Sequence, residues 1–146
     1  MIKRKHLGVY GIIINNKNIL LVKKSRGAYT GKLDLPGGSF EHGETPVETL
    51  KREIKEETNA EIKNYSIYSA DSVIVNWVNH DKSEEIKNMH HIGIIYDVEI
   101  EKNSKIRKAA DGEDSLGAAW YNIESLRKDD ISPLTYNTLK TKGYFD

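Results

Sequence analysis

The chain has no cysteine, so disulfides and thiolate metal sites are excluded, and any metal ligand must be oxygen or imidazole. It has almost no charge of one sign in excess. The 22 Lys and Arg cancel the 22 Asp and Glu. That removes the basic footprint expected of a nucleic-acid-binding domain and any cationic drive toward a membrane. Long apolar runs are missing too, and none approaches the ~20 residues needed to span a bilayer. Met1–Lys5 is basic like the start of a signal peptide. However, Leu7 to Ile14 contains Gly8 and Gly11, and Asn15-Asn16 ends it without a small-residue cleavage pattern. The expectation is one cytoplasmic domain over residues 1–146, long enough to bury a core, with no internal repeat or linker.

The most informative stretch follows the turn Leu35-Pro36-Gly37-Gly38. Thr45, Pro46, Val47 and Glu48 form a T-x-x-E capping box with proline at the first helical position, where its missing N–H costs nothing. Asn59 is suited to the left-handed residue that ends a helix. A helix from about Pro46 to Thr58 is expected. Val47, Leu50 and Ile54 give it one apolar stripe. Glu53, Glu56 and Glu57, at i, i+3 and i+4, converge on a neighbouring face. Each like-charge pair costs roughly 0.2–0.5 kcal/mol on a bare helix, and Arg52 alone does not balance three carboxylates. A hard divalent cation would, because Mg²⁺ and Mn²⁺ prefer oxygen ligands. A run such as K-R-E-I-K-E-E usually means only a solvated face. The glycine turn just upstream, which lets backbone approach a ligand closely, argues otherwise.

Gly38, Glu44, Arg52, Glu53, Ile54, Glu56 and Glu57 all fall at the spacing G-x5-E-x7-R-E-U-x-E-E-x-G-U, with U a bulky aliphatic. The stretch 38–60 therefore resembles the Nudix box of the MutT-like hydrolases. Asn59 stands for the late glycine and tolerates the same left-handed backbone, and Ala60 stands for the final aliphatic. Neither departure removes a carboxylate. The resemblance implies a Nudix-type α/β/α sandwich with a mixed β-sheet and a loop–helix–loop catalytic motif. It implies Mg²⁺, with Mn²⁺ as substitute, on Glu56 and Glu57, with Glu53 either a further ligand or the base that activates water. The Gly38 carbonyl is a further candidate ligand, and Arg52 and Glu44 orient the loop and helix through an ion pair.

Elsewhere the pattern is of strands. Leu7–Ile14 and Ile19–Val22 read as a hairpin turning through asparagines, followed by a basic loop, Lys23–Lys32. In that loop the family resemblance favours Arg26, with Lys32 a second candidate, for contact with substrate phosphates beside the Gly37-Gly38 turn. Two strand-like runs, Tyr65–Ala70 and Ser72–Val78, precede a polar loop, Asn79–Asn88. His91–Ile100 alternates as a half-buried strand, with Ile92, Ile94, Tyr96, Val98 and Ile100 on one side. A long charged segment, Glu101–Gly117, precedes a short strand, Ala118–Ile123, and a last helix capped by Ser132-Pro133 and ended by Gly143. Some Nudix enzymes place an acidic base or extra ligand on a late loop, and Asp111, Glu113 and Asp114 lie about there, with Glu113 the candidate. Of the adjacent His90 and His91, one is a candidate pocket liner against the plainer reading of a satisfied strand-end histidine. Trp77 and Tyr68 read as core.

The implied reaction is metal-dependent hydrolysis of a nucleoside diphosphate linked to another group. No proline occurs between Ala60 and Ser132, whereas members acting on ADP-ribose often carry one beyond the box. Nucleoside triphosphates, oxidised ones included, are therefore placed ahead of ADP-ribose, nucleotide sugars and dinucleoside polyphosphates. A non-catalytic nucleotide-binding version typically loses box carboxylates, and all four are present. The related isopentenyl diphosphate isomerases commonly need a cysteine that is absent here. The partner expected is a small nucleotide rather than nucleic acid or membrane. The sequence leaves the oligomeric state open, a homodimer included.

Overall fold

A computed structural model describes residues 1–78, 85–108 and 115–145. Its elements are β1 (Ile2–Ile12), β2 (Ile14–Asn15), β3 (Asn18–Lys24), β4 (Leu33–Asp34), β5 (Gly37–Ser39), α1 (Pro46–Thr58), β6 (Ile62–Val78), β7 (Ile86–Ile100), β8 (Ser115–Asn122) and α2 (Pro133–Thr141). One sheet has the order β5-β1-β7-β6 and is mixed, because β1 and β7 run parallel while the outer pairs are antiparallel. The second is built on β3, which pairs with β2, β4 and β8.

Alternation along β1 and β3 divides the interior into two layers. Val9, Ile13, Leu20 and Val22 pack with Leu50 and Ile54 of α1. Tyr10, Ile12, Ile19 and Leu21 pack with Leu134 and Leu139 of α2. The result is the expected α/β/α sandwich. Leu50 and Ile54 are fully buried, each contributing about 2 kcal/mol of transfer free energy. Gly11 lets α1 approach, since a Cβ there would lie 2.8 Å from Ile54 Cδ1.

Helix α1 begins and ends as the sequence predicts. Thr45 Oγ1 accepts from the Glu48 N–H, Glu48 caps back onto the Thr45 N–H, and Asn59 sits at φ 64°. The C-terminal helix starts on Ser132, whose hydroxyl accepts from the Thr135 N–H, and Gly143 follows its end at φ 97°. The hairpin turns at Asn16 and Lys17, with Asn16 at φ 57°.

Several strands differ from expectation. β1 starts at Ile2, because its charged end pairs along β7 from Lys87 onward. The two runs after α1 are one 17-residue strand, β6, kept continuous by pairing with β7 across a register shift between Ile67 and Ser69. Residues 86–88, read as loop, already belong to β7. β7, a central strand between β1 and β6, is covered on both faces, with Ile95 in the core layer that includes Leu134 and Leu139 and Tyr96 and Val98 in the layer that includes Leu50 and Ile54. The last strand begins at Ser115. Among the described residues no helix is long and apolar enough to cross a membrane.

Candidate active site

The turn between β4 and α1 is held against the helix by side chains from the box. Gly37 runs at φ 148°, and a Cβ there would collide with the Val9 carbonyl oxygen, so glycine is required where β5 meets β1. The Gly37 N–H donates to Glu57 Oε1 at 2.7 Å. That bond fixes a carboxylate only 3% exposed, with the Lys24 ammonium 4.0 Å from its other oxygen. A Cβ on Gly38 would lie 2.8 Å from the Glu53 carboxyl carbon, so the absence of a side chain there makes the cradle in which Glu53 rests.

Arg52 organises the outer rim. Its Nε and Nη2 form a fork on Glu44 at 2.7 and 2.8 Å, Nη1 donates to Glu53 at 2.9 Å and Glu56 at 3.3 Å, and Nη2 also reaches the Ser39 carbonyl. The Arg52 hydrogen bonds, seconded by the Glu41 N–H, hold the Glu44 carboxyl down at about 2. Bonding to Glu44 raises the guanidinium above its already high value. The expected ion pair between Arg52 and Glu44 is present, and Glu48 is engaged in the helix cap.

Glu53, Glu56, Glu57 and the Gly38 carbonyl offer only oxygen, the donor set a hard divalent cation takes. The glycine cradle leaves backbone and carboxylate in reach of one another. Among the described residues, no three His, Asp or Glu side chains are gathered into a finished metal cluster. Glu56 is half exposed and drawn to Arg52, while Glu57 faces Lys24. The residues fit such an ion, which would compete with these two cationic side chains for the carboxylates. Glu113 and its neighbours Asp111 and Asp114 lie outside the described residues.

A cleft of about 710 Å³ opens from this loop. Gly37, Gly38, Glu53, Lys24, Arg26, Trp77, Lys87 and Met89 are among the residues that line it. Arg26 lines the cleft. The Lys32 ammonium donates to the Asp129 carbonyl at 2.8 Å. Trp77, read as core, lines the cleft because β6 extends past the end of β1.

Apart from the histidine candidate, the floor was not visible in the sequence. His91 is buried, with Nε2 2.6 Å from the Tyr10 hydroxyl and Nδ1 2.8 Å from that of Tyr29. This histidine is satisfied and lines the cleft, but it sits inside β7 rather than at a strand end, because the strand begins at Ile86. Beside it, Asp34 Oδ1 accepts from the Leu35 N–H, Ser132 Oγ and Thr135 Oγ1. Burial pushes both phenols up, with Asp34 reinforcing the effect. Burial also holds His91 down at about 4, Asp34 opposing this and His6 and Lys24 adding to it.

His91 therefore stays neutral in the folded protein where the unfolded chain, at about 6.5, takes up a proton. Between those values the unfolded state binds more protons, so stability falls as pH drops from about 6.5 to about 4, by about 3 kcal/mol in all. Urea unfolding across that range should show this slope, and His91→Gln, which keeps a donor and an acceptor without titrating, should flatten it. Equal slopes in the two proteins would contradict the assignment.

A match to the NUDIX domain family spans residues 4–141. The chain is 32% identical over 145 residues to a protein of Enterobacter sp. (strain 638) named nucleoside triphosphatase NudI, covering 96% of this chain and 98% of that one. It is 48% identical over 52 residues to an ADP-ribose pyrophosphatase of Methanocaldococcus jannaschii, covering 36% of this chain and 31% of that one. Among solved structures, a MutT NUDIX hydrolase from Burkholderia pseudomallei superposes with a TM-score of 0.67 at 19% identity, over 94% of this chain and 97% of that one.

Proposed function

Because this chain belongs to the Nudix family of hydrolases, we propose that it cleaves a phosphoanhydride bond of a nucleoside triphosphate with a divalent cation, Mg²⁺ or Mn²⁺. The observation that carries this reading is the buried Glu57 carboxylate, pinned to the Gly37 N–H where the loop opens into a cleft lined by Lys24 and Arg26. A polyphosphate repels an attacking water unless its charge is neutralised. Lys24, 4.0 Å from Glu57, and Arg26, also in the cleft wall, would supply fixed positive charge to such a substrate. Glu56, Glu57 and the Gly38 carbonyl would hold the cation, with Glu53 either a further ligand or the base that takes the proton of the attacking water. The bound cation would polarise the P–O bonds and acidify water. Arg52, forked on Glu44 and bonded to Glu53, keeps the carboxylates and loop in register without touching the reacting atoms.

The relative matched over nearly the whole chain carries the name nucleoside triphosphatase, whereas the ADP-ribose pyrophosphatase match covers about a third. Phosphate and pyrophosphate release should therefore be measured on nucleoside triphosphates, ADP-ribose, a nucleotide sugar and a dinucleoside polyphosphate. Turnover of a triphosphate with Mg²⁺, lost in EDTA and restored by excess Mg²⁺, is expected. Turnover unaffected by EDTA, or confined to ADP-ribose, would contradict the proposal.

A further inference from the structure

We propose that Trp77 is the platform on which the nucleobase stacks, a contact that purines and pyrimidines alike can make. The inference rests on the triphosphatase reading and concerns the same cleft. Trp77 lines that cleft and, among the described residues, packs into neither core layer. A tryptophan outside the core leaves a large apolar ring at a wet surface, and a flat ligand gains by covering it. Lys87, the cross-strand partner of Trp77, holds its ammonium over the indole, 5.0 Å from the ring centroid, which steadies the ring. Met89 is the diagonal neighbour of Trp77 on the same pair of strands and adds apolar surface within reach of an aromatic ring.

The sheet register places this platform away from the glycine loop. On β1, Val9 pairs with Gly38, His6 with His91, Arg4 with Met89, and Ile2 with Lys87. Alternation puts His91, Met89 and Lys87 on one face of β7, and Trp77, paired with Lys87, shares that face. All four line the cleft. Counted along β1 from Val9, His91 is three residues away, Met89 five and Trp77 seven, roughly 10, 17 and 23 Å at 3.3 Å per residue. Phosphates held at the glycine loop, where Lys24 stands 4.0 Å from Glu57, leave the ribose over the His6–His91 pair, whose rings stack at 4.9 Å. The base then falls beyond the histidines, against Met89 and the indole that flanks it.

The test uses Trp77→Ala and Trp77→Phe, with inorganic tripolyphosphate, which has no base, as the control ligand. With Mg²⁺, Trp77→Ala should raise KM for GTP and CTP by about tenfold while kcat stays within about twofold, and Trp77→Phe should recover most of the loss. Inhibition by tripolyphosphate should be the same in the natural protein and both variants. An unchanged KM in Trp77→Ala overturns the proposal. So does a loss that tripolyphosphate shares, because that marks a merely structural role. A binding arm stands apart from turnover and from the folding of the Trp77 variants. In a Trp120→Phe background Trp77 is the one tryptophan left, and Trp120 lies on β8, away from the cleft. There GTP should quench the indole emission saturably and tripolyphosphate should not. Turnover of GTP without quenching refutes the platform alone. Quenching without turnover of any nucleotide supports the platform and refutes the triphosphatase reading, and calorimetry that finds no nucleotide binding refutes both.

Discussion

Glu57→Gln should lower kcat/KM with Mg²⁺ by about a hundredfold to a thousandfold on whichever nucleotide is turned over, a loss of about 3–4 kcal/mol of transition-state stabilisation. The amide is nearly isosteric and its oxygen can still accept from the Gly37 N–H, now at 2.7 Å. The loop should therefore remain docked, and the thermal midpoint should move by only a few degrees. What disappears is the negative charge that a cation needs and that Lys24 faces. Paired steady-state kinetics and thermal melts check both halves. Retained activity would remove Glu57 from the ligand set, and unfolding would show that its charge serves the fold instead.

Arg52→Met is expected to act on stability and activity together. The guanidinium bonds Glu44, Glu53 and Glu56 at once, and methionine leaves these carboxylates facing one another. Breaking a fully buried pair costs 3–5 kcal/mol, and solvent at this partly exposed rim should reduce the loss to about 2 kcal/mol. Activity should fall as well, because Glu53 loses a contact that orients it. Arg52→Lys should recover little, since one ammonium cannot reproduce the fork on Glu44. The difference depends on pH with a definite sign. Glu44 is held at about 2 in the folded protein and titrates near 4.5 when free. The stabilisation it draws from Arg52 is thus complete above about pH 4.5 and is lost as pH falls toward 2. Urea unfolding of both proteins at pH 7 and pH 3 should show the gap narrowing in acid, and a constant gap would mean that Arg52 stabilises chiefly by packing.

Local chemistry made α1 legible, since the Thr45–Glu48 box, Pro46 and Asn59 fix both ends without help from the rest of the chain. The carboxylate face and the glycine turn were legible for the same reason, because i, i+3, i+4 spacing is a property of one helix. The β6 strand was not. Ala70-Asp71-Ser72 reads as a break, and only pairing with β7 from Ile62 to Val78 keeps it extended. The two-sided burial of β7 likewise depends on residues far away in sequence, Leu50 and Ile54 in one core layer and Leu134 and Leu139 in the other. The cleft floor was the least legible part. Tyr10, Tyr29, Asp34 and His91 come from three strands and a loop, and Tyr10 and His91 stand 81 positions apart. A lone aspartate two residues before Pro36 gives no sign that one of its oxygens will accept three buried hydrogen bonds.

The central claim is that α1 and the glycine loop hold a divalent cation beside the nucleotide's phosphates, and Mn²⁺ binding tests it most directly. Titration of Mn²⁺ into the protein, followed by water-proton relaxation with and without a non-hydrolysable nucleoside triphosphate analogue, should give saturable binding that the analogue tightens. Glu57→Gln should weaken that binding by about tenfold or more. Mn²⁺ binding that is absent, or equally strong in the folded Glu57→Gln protein, would contradict the account.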